Sequence, residues 1–328
     1  MLEILSDPNW LAPQIDILLK LQDLRIHSPE FVTKIMLLIT QLGELAIPAL
    51  IASICYWCIS FDLGMYLFCL MGFHFITSTT LKMFACVYRP WVLSDKIKPV
   101  SEAIAFAKGY SFPSGHSSMV ASLFGGIAFG VQRHLLFSIV LILTIFAVGF
   151  SRLWLGVHTP QDVIVGLVLG FVLVFIVSIV LDWVEADKKR YLYFLLFTNL
   201  ISIALLIYFC MFRQYPMDYI NGELLVNPLG PLRAQVVCVA FSLGIINGVC
   251  ITRNFFKFDP KEGSVFEKFI RAFVGVLFIL ILNHYCVEYC FSDKCPLFHA
   301  FFITLFVGLF ISAIYPFIFT KIGNLLRK

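Results

Sequence analysis

Long apolar runs, each about as long as a membrane-spanning helix, constrain the fold of this chain more than any other feature. Of its 328 residues, 60% are hydrophobic and 13% are charged, whereas a soluble domain carries about 25% charged residues. A helix of about 20 apolar residues crosses the hydrocarbon core of a bilayer. Repeated runs of that length therefore predict an all-α, polytopic membrane helix bundle.

Polar breaks separate the candidate spans, and the longest is the loop of about 88–115 between the second and third spans. They lie at 31–58, 62–86, 116–132, 135–152, 160–182, 191–212, 231–251, 267–285 and 297–320. The third and fourth are short, and only the polar sequence Gln132-Arg133-His134 separates them. The sequence thus predicts about nine spans.

Residues 1–30 differ from the rest because acidic residues interrupt them and no basic region leads a short apolar core. They therefore do not resemble a secretory signal. Leu11, Ile15, Leu18 and Leu19 fall on one helical face, which predicts an interfacial amphipathic segment.

Basic residues set the predicted orientation. Most lie in loops on one side of the predicted spans: Arg133, Lys188, Lys189, Arg190, Arg253, Lys257, Lys261, Lys268, Lys321, Arg327 and Lys328. Cytoplasmic loops are enriched in Lys and Arg, so this side is predicted to be cytoplasmic, with the N-terminus outside. The net charge of +4 is small and spread along loops, which gives no indication of nucleic-acid binding.

Three short polar stretches interrupt the apolar sequence on the predicted outer side. They are Lys82 with Arg89-Pro90 after six intervening residues, Pro113-Ser114-Gly115-His116, and Ser151-Arg152 with His158 and Asp162. Two crossings separate the second stretch from the third, so all three can converge on one face. Polar groups are costly in a bilayer, which makes each of them a functional candidate.

Two of these stretches begin predicted helices, with Ser114 and Thr159 as candidate N-caps. Free N–H groups at a helix start bind anions. Lys82, Arg89 and Arg152 add positive charge, and arginine binds tetrahedral oxyanions through parallel hydrogen bonds. The pocket is therefore predicted to hold a multiply charged anion such as phosphate.

The two histidines have different predicted roles. Asp162 follows His158 by four residues and can orient its ring, which leaves the other ring nitrogen free to attack phosphorus. His116 can then protonate the leaving oxygen. Asp162 also follows Thr159 by three residues and could complete a capping box, a role compatible with orienting His158.

The complete set of three stretches resembles the signature of the type 2 phosphatidic acid phosphatase (PAP2) superfamily, particularly its bacterial membrane members. The resemblance implies a phosphatase without metal or other cofactor that works through a phosphohistidine. Carried over by position, the catalytic residues are His158, His116 and Asp162, and the phosphate-binding residues are Lys82, Arg89, Ser114, Gly115 and Arg152. It also implies a six-helix core. The predicted domains are then 1–30 (amphipathic segment), 31–212 (catalytic core) and 213–328 (additional transmembrane helices).

The membrane setting favours a lipid phosphate monoester or diphosphate as substrate, such as undecaprenyl diphosphate, phosphatidate, phosphatidylglycerol phosphate or a sphingoid phosphate. The expected location is a bacterial inner or cell membrane, with the site on the non-cytoplasmic face. One alternative is the phosphatase of a soluble ester such as a sugar phosphate. Others are a non-enzymatic transporter or scaffold, which should lack catalytic groups, and a vanadate haloperoxidase, against which the membrane-embedded sequence argues.

Three of the ten cysteines, Cys286, Cys290 and Cys295, cluster in a predicted external loop. One disulfide among them is compatible with an oxidising compartment. Cys55 and Cys58 form a C-x-x-C pair without a second pair of ligands, which does not predict a zinc site.

Overall fold

The computed structural model describes residues 7–105, 107, 109–130, 134–220, 222–256, 258–292 and 294–326. Four cations of the predicted cytoplasmic set, Arg133, Lys257, Arg327 and Lys328, lie outside the described residues. The predicted all-α membrane fold is confirmed. The strands in the described ranges are an antiparallel pair, Tyr219–Ile220 (β1) with Glu223–Leu224 (β2), in which Tyr219 faces Leu224.

Helices account for nearly all of the regular structure. In chain order they are α1 (Pro8–His27), α2 (Glu30–Gln41), α3 (Ala46–Ile54), α4 (Phe61–Ala85), α5 (Pro90–Leu93), α6 (Ser101–Ile104), α7 (Gly115–Gly130), α8 (Leu135–Trp154), α9 (Pro160–Glu185), α10 (Lys188–Ile207), α11 (Leu229–Phe255), α12 (Val265–Cys290), α13 (Leu297–Leu309) and α14 (Tyr315–Leu326). Short π-helical turns, Cys55–Ile59, Tyr208–Phe212 and Phe310–Ile314, continue α3, α10 and α13.

Six segments in the described part of the chain are long and apolar enough to cross a membrane. A seventh results if α2 and the α3 segment, bent by 50° at their junction, form one span. The two remaining predicted ranges coincide with α7 and α12. Since α7 has only 16 residues, it is shorter than the roughly 20 residues that a straight crossing needs. The count of nine therefore stays a prediction.

Two compact units contain these helices. The motif unit comprises Met1–Glu44, Thr77–Val172 and Phe209–Leu232. The extension unit comprises Leu45–Ile76, Leu173–Tyr208 and Arg233–Lys328. All eight predicted site residues lie in the motif unit. The predicted domain boundary at residue 213 stays a prediction.

Small residues on α9 bring the starts of α7 and α9 together in the motif unit. A Cβ atom on Gly166 would lie 2.7 Å from the carbonyl oxygen of Ser114, and one on Gly170 would lie 2.5 Å from the Cβ of Ala121. Glycines one helical turn apart allow such close approach between membrane helices. As a result, the backbone N–H of Ser114 donates to the carbonyl oxygen of Asp162 at 2.9 Å.

In the extension unit, buried aromatic side chains connect the turn after α3 to the end of α13. Trp57 Nε1 donates to the carbonyl oxygen of Ile311 at 2.9 Å, and the Tyr56 hydroxyl donates to that of Ser312 at 3.0 Å. Polar groups within an apolar bundle need such partners. Arg271 on α12 adds a third connection, because its Nη1 donates to the carbonyl oxygen of Trp57 at 2.8 Å.

Candidate active site

His158 and Arg89 form the centre of the candidate site. His158 lies in the turn between α8 and α9 and is 2% exposed. Arg89 Nη1 contacts His158 Nε2 at 2.9 Å and also donates to the carbonyl oxygen of Val157 at 3.0 Å. Its Nε donates to the carbonyl oxygen of Gly109 at 3.1 Å. The guanidinium of Arg89 is thus held at the Nε2 edge of the imidazole ring.

Asp162 fixes the opposite side of the same ring. Its Oδ2 lies 3.3 Å from His158 Nδ1 and accepts from the hydroxyl of Ser111 at 2.5 Å. The same oxygen accepts from the backbone N–H of Thr159 at 2.8 Å. The Asp162 carboxylate therefore both caps the start of α9 and contacts the His158 ring. The Thr159 hydroxyl has no partner among the described residues, so the reciprocal bond of a capping box is not made there.

These contacts determine the tautomer of His158. A guanidinium can only donate, so Nε2 must carry a lone pair and the ring proton belongs on Nδ1, facing Asp162. Burial lowers the pKa of His158 well below its usual range, and the positive charges of Arg89, Arg152 and Lys82 act in the same direction. The imidazole is therefore neutral near pH 7, with Nε2 as its nucleophilic atom.

Lys82 holds the segment that precedes α7. Its Nζ donates to the carbonyl oxygens of Pro113 at 2.5 Å and Ser111 at 3.1 Å, with Tyr110 at 3.5 Å. An ammonium has three donors, and all three are directed at this backbone. The structure thus places Lys82 beside the site, where it orients the loop. Its predicted role in phosphate binding stays a prediction.

Arg152, in the last turn of α8, is 1% exposed. Its Nη1 donates to the hydroxyl of Thr40 at 2.6 Å. Its Nε and Nη2 are buried and have no hydrogen-bond partner in the described ranges. Unpaired donors on a buried cation are costly. These two donors are compatible with the predicted role of Arg152 in phosphate binding, which stays a prediction.

The start of α7 contributes Ser114, Gly115 and His116. Ser114 is fully buried, and its hydroxyl oxygen accepts from the Ser117 hydroxyl at 2.8 Å and from the Ser117 N–H at 3.4 Å. A Cβ on Gly115 would have its nearest neighbour, Lys82 Cε, 3.9 Å away. A Cβ at this position would therefore be in ordinary van der Waals contact with Lys82. A Cβ on Gly43 would lie 2.9 Å from the Cβ of His116, so the chain after α2 packs directly on that histidine.

Helix α1 packs on the turn that carries His158. The side chain of Gln14 accepts from the Gln161 N–H at 2.9 Å and donates to the Gln161 side chain at 3.2 Å. Both glutamines are less than a tenth exposed. At the other end of α1, Arg25 Nη1 donates to the carbonyl oxygen of Trp154 at 2.6 Å. The predicted interfacial segment thus holds both ends of the α8–α9 turn.

Sequence reasoning missed several residues that shape this site: Gln14, Arg25, Thr40, Gly43 and Ser111. Thr40 lies 112 positions from its partner Arg152, and no local pattern links the two. Ser111 lies two residues before the second polar stretch. That position was a signal from which its place in the site could have been predicted. The other contacts depend on how α1 and α2 pack.

Two family models match this chain. One, the PAP2 superfamily, matches residues 63–185. The other, described as a PAP2 superfamily phosphatase transmembrane extension, matches residues 236–327. The chain belongs to the PAP2 superfamily. The resemblance inferred from the three polar stretches is confirmed, and all eight predicted site residues of this PAP2 member fall within the first match.

Relatives of this PAP2 member include two kinds of named phosphatase. Phosphatidylglycerophosphatase B of Bacillus subtilis is 34% identical over 100 residues, which cover 28% of this chain and 48% of the relative. Lipid A 1-phosphatase of Rhizobium etli is 33% identical over 112 residues, which cover 33% of this chain and 46% of the relative. The chain thus spans just under half the length of these relatives.

A solved structure is also similar to this PAP2 member. It is the crystal structure of a transmembrane PAP2-type phosphatidylglycerolphosphate phosphatase from Bacillus subtilis, with 25% sequence identity and a TM-score of 0.44. The match covers 54% of this chain and 90% of that one. Together with the apolar helices, the transmembrane-extension match makes the chain a multi-pass membrane protein.

Proposed function

We propose that this chain is an integral membrane phosphatase that hydrolyses a lipid phosphate monoester or diphosphate through a phosphohistidine, without a metal ion. One observation carries the proposal: a neutral, buried His158 lies between Asp162 and Arg89, with the unpaired donors of Arg152 in the same unit. The names of the relatives, which denote lipid phosphatases, support the substrate class.

In the first step, His158 Nε2 attacks phosphorus, an N–P bond forms and the bond to the leaving oxygen breaks. Arg89 Nη1 now contacts the lone pair that must attack. When a phosphate group enters, this donor has to transfer its hydrogen bond to a phosphoryl oxygen. Arg89 therefore restrains the nucleophile before binding and stabilises charge on the phosphoryl group afterwards.

Asp162 supports this step from the other side of the ring. Attack through Nε2 gives the imidazole positive charge, and a carboxylate on Nδ1 stabilises that charge while holding the ring in place. The Ser111 hydroxyl and the Thr159 N–H fix the position of Oδ2. Asp162 is proposed to orient His158 without accepting its proton.

His116 is proposed as the general acid and base. It donates a proton to the leaving oxygen in the first step, and in the second it removes a proton from the water that attacks phosphorus. The N–P bond then breaks, which releases inorganic phosphate and restores His158. The position of His116 at the start of α7 and its packing against Gly43 support this assignment.

Protein groups supply the positive charge that a metal ion provides in other phosphatases. Arg152 offers Nε and Nη2, Arg89 offers Nη1, and the start of α7 offers backbone N–H groups. Prearranged donors of this kind are worth roughly 3–4 kcal/mol each in the transition state. This charge is the physical basis for proposing metal-independent turnover.

The position of the turn supports a lipid substrate. His158 lies between Leu135–Trp154 and Pro160–Glu185, both long and apolar enough to cross a membrane. The turn is therefore at a membrane edge, where the head group of a lipid lies. We propose that this edge lies on the non-cytoplasmic face of a bacterial inner or cell membrane, because most basic loop residues lie on the opposite side of the predicted spans.

The test is release of inorganic phosphate from a panel of substrates by the purified full chain in detergent, with excess chelator throughout. The panel contains phosphatidylglycerol phosphate, phosphatidate, undecaprenyl diphosphate and a sugar phosphate. We expect chelator-resistant release from at least one lipid and much slower release from the sugar phosphate. Loss of release on chelation would overturn the metal-free mechanism, and preference for the sugar phosphate would overturn the lipid assignment.

A further inference from the structure

Three thiols of the extension unit gather where α12 ends and α13 begins. Cys290 and Cys295 are both 0% exposed and share a buried apolar cluster with Val237 and Ala300, against which Cys286 packs. The Cys290 thiol lies close enough to both other thiols to interact with them electrostatically. Nothing in the proposed reaction uses this cluster.

One side chain holds the backbone of two of these cysteines. Arg233 Nη1 donates to the carbonyl oxygen of Cys295 at 2.5 Å and to that of Cys290 at 3.3 Å. The Cys295 N–H also donates to the carbonyl oxygen of Ser292 at 3.2 Å, which closes the turn between them. Cys290 and Cys295 are therefore held near each other before any covalent bond forms.

Helix geometry favours one of the two possible disulfide partners of Cys290, which are Cys286 and Cys295. Cys286 and Cys290 lie four residues apart in α12, and Cβ atoms at that spacing are about 5–6 Å apart. A disulfide needs Cβ atoms about 3.5–4.5 Å apart, so this pair would have to distort the helix. Cys295 lies beyond the helix end, where the turn can adjust without loss of helical hydrogen bonds.

We propose that Cys290 and Cys295 are a disulfide-forming pair, oxidised on the non-cytoplasmic side of the membrane, and that Cys286 stays a thiol. The bond would join the end of α12 to the residue just before α13. The odd number of cysteines in this cluster is then explained, because Cys286 has no suitable partner.

Oxidation requires an external disulfide, either a small molecule or an oxidoreductase. A thiolate of the pair attacks that disulfide, forms a mixed disulfide and expels one thiolate. The second cysteine then attacks the mixed disulfide, which forms the Cys290–Cys295 bond and expels the other thiolate. Two cysteine protons are lost and the oxidant gains the electron pair. The first attack is slow without a catalyst because thiolates are scarce in a buried cluster.

Trypsin distinguishes the pairings because Lys294 lies between the two cysteines. Cleavage gives peptide 272–294, which contains Cys286 and Cys290, and peptide 295–321, which contains Cys295. Cells would be treated with an alkylating agent before lysis, and the full chain would be digested without reductant. We expect the two peptides to be joined, with Cys286 alkylated.

Matched serine variants complete the test. Cys286→Ser should keep the joined peptides, whereas Cys295→Ser should lose them. Dithiothreitol should lower the thermal midpoint of the wild-type chain and of Cys286→Ser but not of Cys295→Ser. Alkylation of all three thiols in the wild-type chain, or a bond confined to peptide 272–294, would overturn the proposal. Neither result bears on phosphate release, so the proposed phosphatase activity is tested separately.

Discussion

Two buried arginines, one in each unit, use their donors in different ways. Arg271 in the extension unit is 7% exposed and donates to the carbonyl oxygens of Trp57, Pro260 and Glu262. Its guanidinium also lies over two aromatic rings, those of Phe258 and Phe319. Arg152 in the motif unit bonds to the hydroxyl of Thr40, while its Nε and Nη2 have no partner in the described residues.

From this difference we propose that Arg271 has a structural role and that Arg152 binds the substrate anion. Arg271 stabilises the fold because its Nη1 and Nη2 donate to backbone groups that the bundle would otherwise bury unpaired. Only its Nε has no partner among the described residues. Arg152 contributes little to the fold in return for its burial, and its donors suit an anion. Substitutions in the motif unit should therefore reduce activity more than stability, and those at Arg271 should do the reverse.

The largest expected effect is that of His158→Ala. Loss of the nucleophile should lower phosphate release by at least about 10³–10⁴-fold. Because His158 is 2% exposed rather than open to solvent, its removal should also cost about 1–2 kcal/mol of stability. Activity would be measured per folded protein, with the exposed His134→Ala as control. An undiminished rate would rule out His158 as nucleophile.

Arg152→Lys should come next, with a loss of about 10²–10³-fold in phosphate release. An ammonium cannot reproduce the planar pair of donors, although it keeps the charge. The thermal midpoint should change little because only the bond to Thr40 is lost. A variant with normal kinetics but a much lower midpoint would show that Arg152 is structural, like Arg271.

Arg271→Lys should have the opposite pattern of effects, on stability rather than on activity. It should lower the free energy of unfolding by about 2–3 kcal/mol, since the carbonyl oxygens lose donors and the rings lose a flat cation. Phosphate release per folded molecule should stay close to wild type. Thermal unfolding monitored together with activity checks both expectations. A selective loss of turnover at unchanged stability would contradict this comparison.

Gln14→Leu tests whether α1 positions the turn that carries His158. Loss of the buried bonds to Gln161 should lower kcat by about tenfold, equivalent to about 1.4 kcal/mol, with a small change in KM. Gln22→Leu in the same helix is the control, because its partners, the Lys96 carbonyl and the Lys98 N–H, are exposed. Equal effects of the two variants on kcat would argue for a general role of α1 in folding.

A final prediction concerns the stability of the chain in acid. Because the folded-state pKa of His158 is lowered, the unfolded chain binds more protons once the pH falls below about 6.5. As the pH falls further, the free energy of unfolding should decrease by up to about 1.4 kcal/mol per pH unit until the folded-state pKa is reached. Above about pH 6.5, His158 should not change the free energy of unfolding. His158→Ala should lack this contribution. Identical slopes for both proteins would show that His158 is not the group responsible.

The sequence by itself determined the helical membrane class and the eight candidate site residues. Apolar runs of membrane-spanning length are compatible with few folds, because an unpaired backbone N–H or C=O group is energetically costly in the hydrocarbon core of a bilayer. The spacing of Lys82, Arg89, His116, Arg152 and His158 carried the family resemblance, which the family models confirm. Their roles in catalysis stay predictions.

Only the tertiary structure decided what each charged group contacts. In the folded chain Lys82 donates to backbone carbonyl oxygens, and two donors of Arg152 have no partner in the described ranges. Gln14 bonds to Gln161 across 147 positions of sequence. The tertiary structure also placed Cys290 and Cys295 in one buried cluster. Such pairings depend on distances between helices far apart in the chain, and residue order alone does not contain those distances.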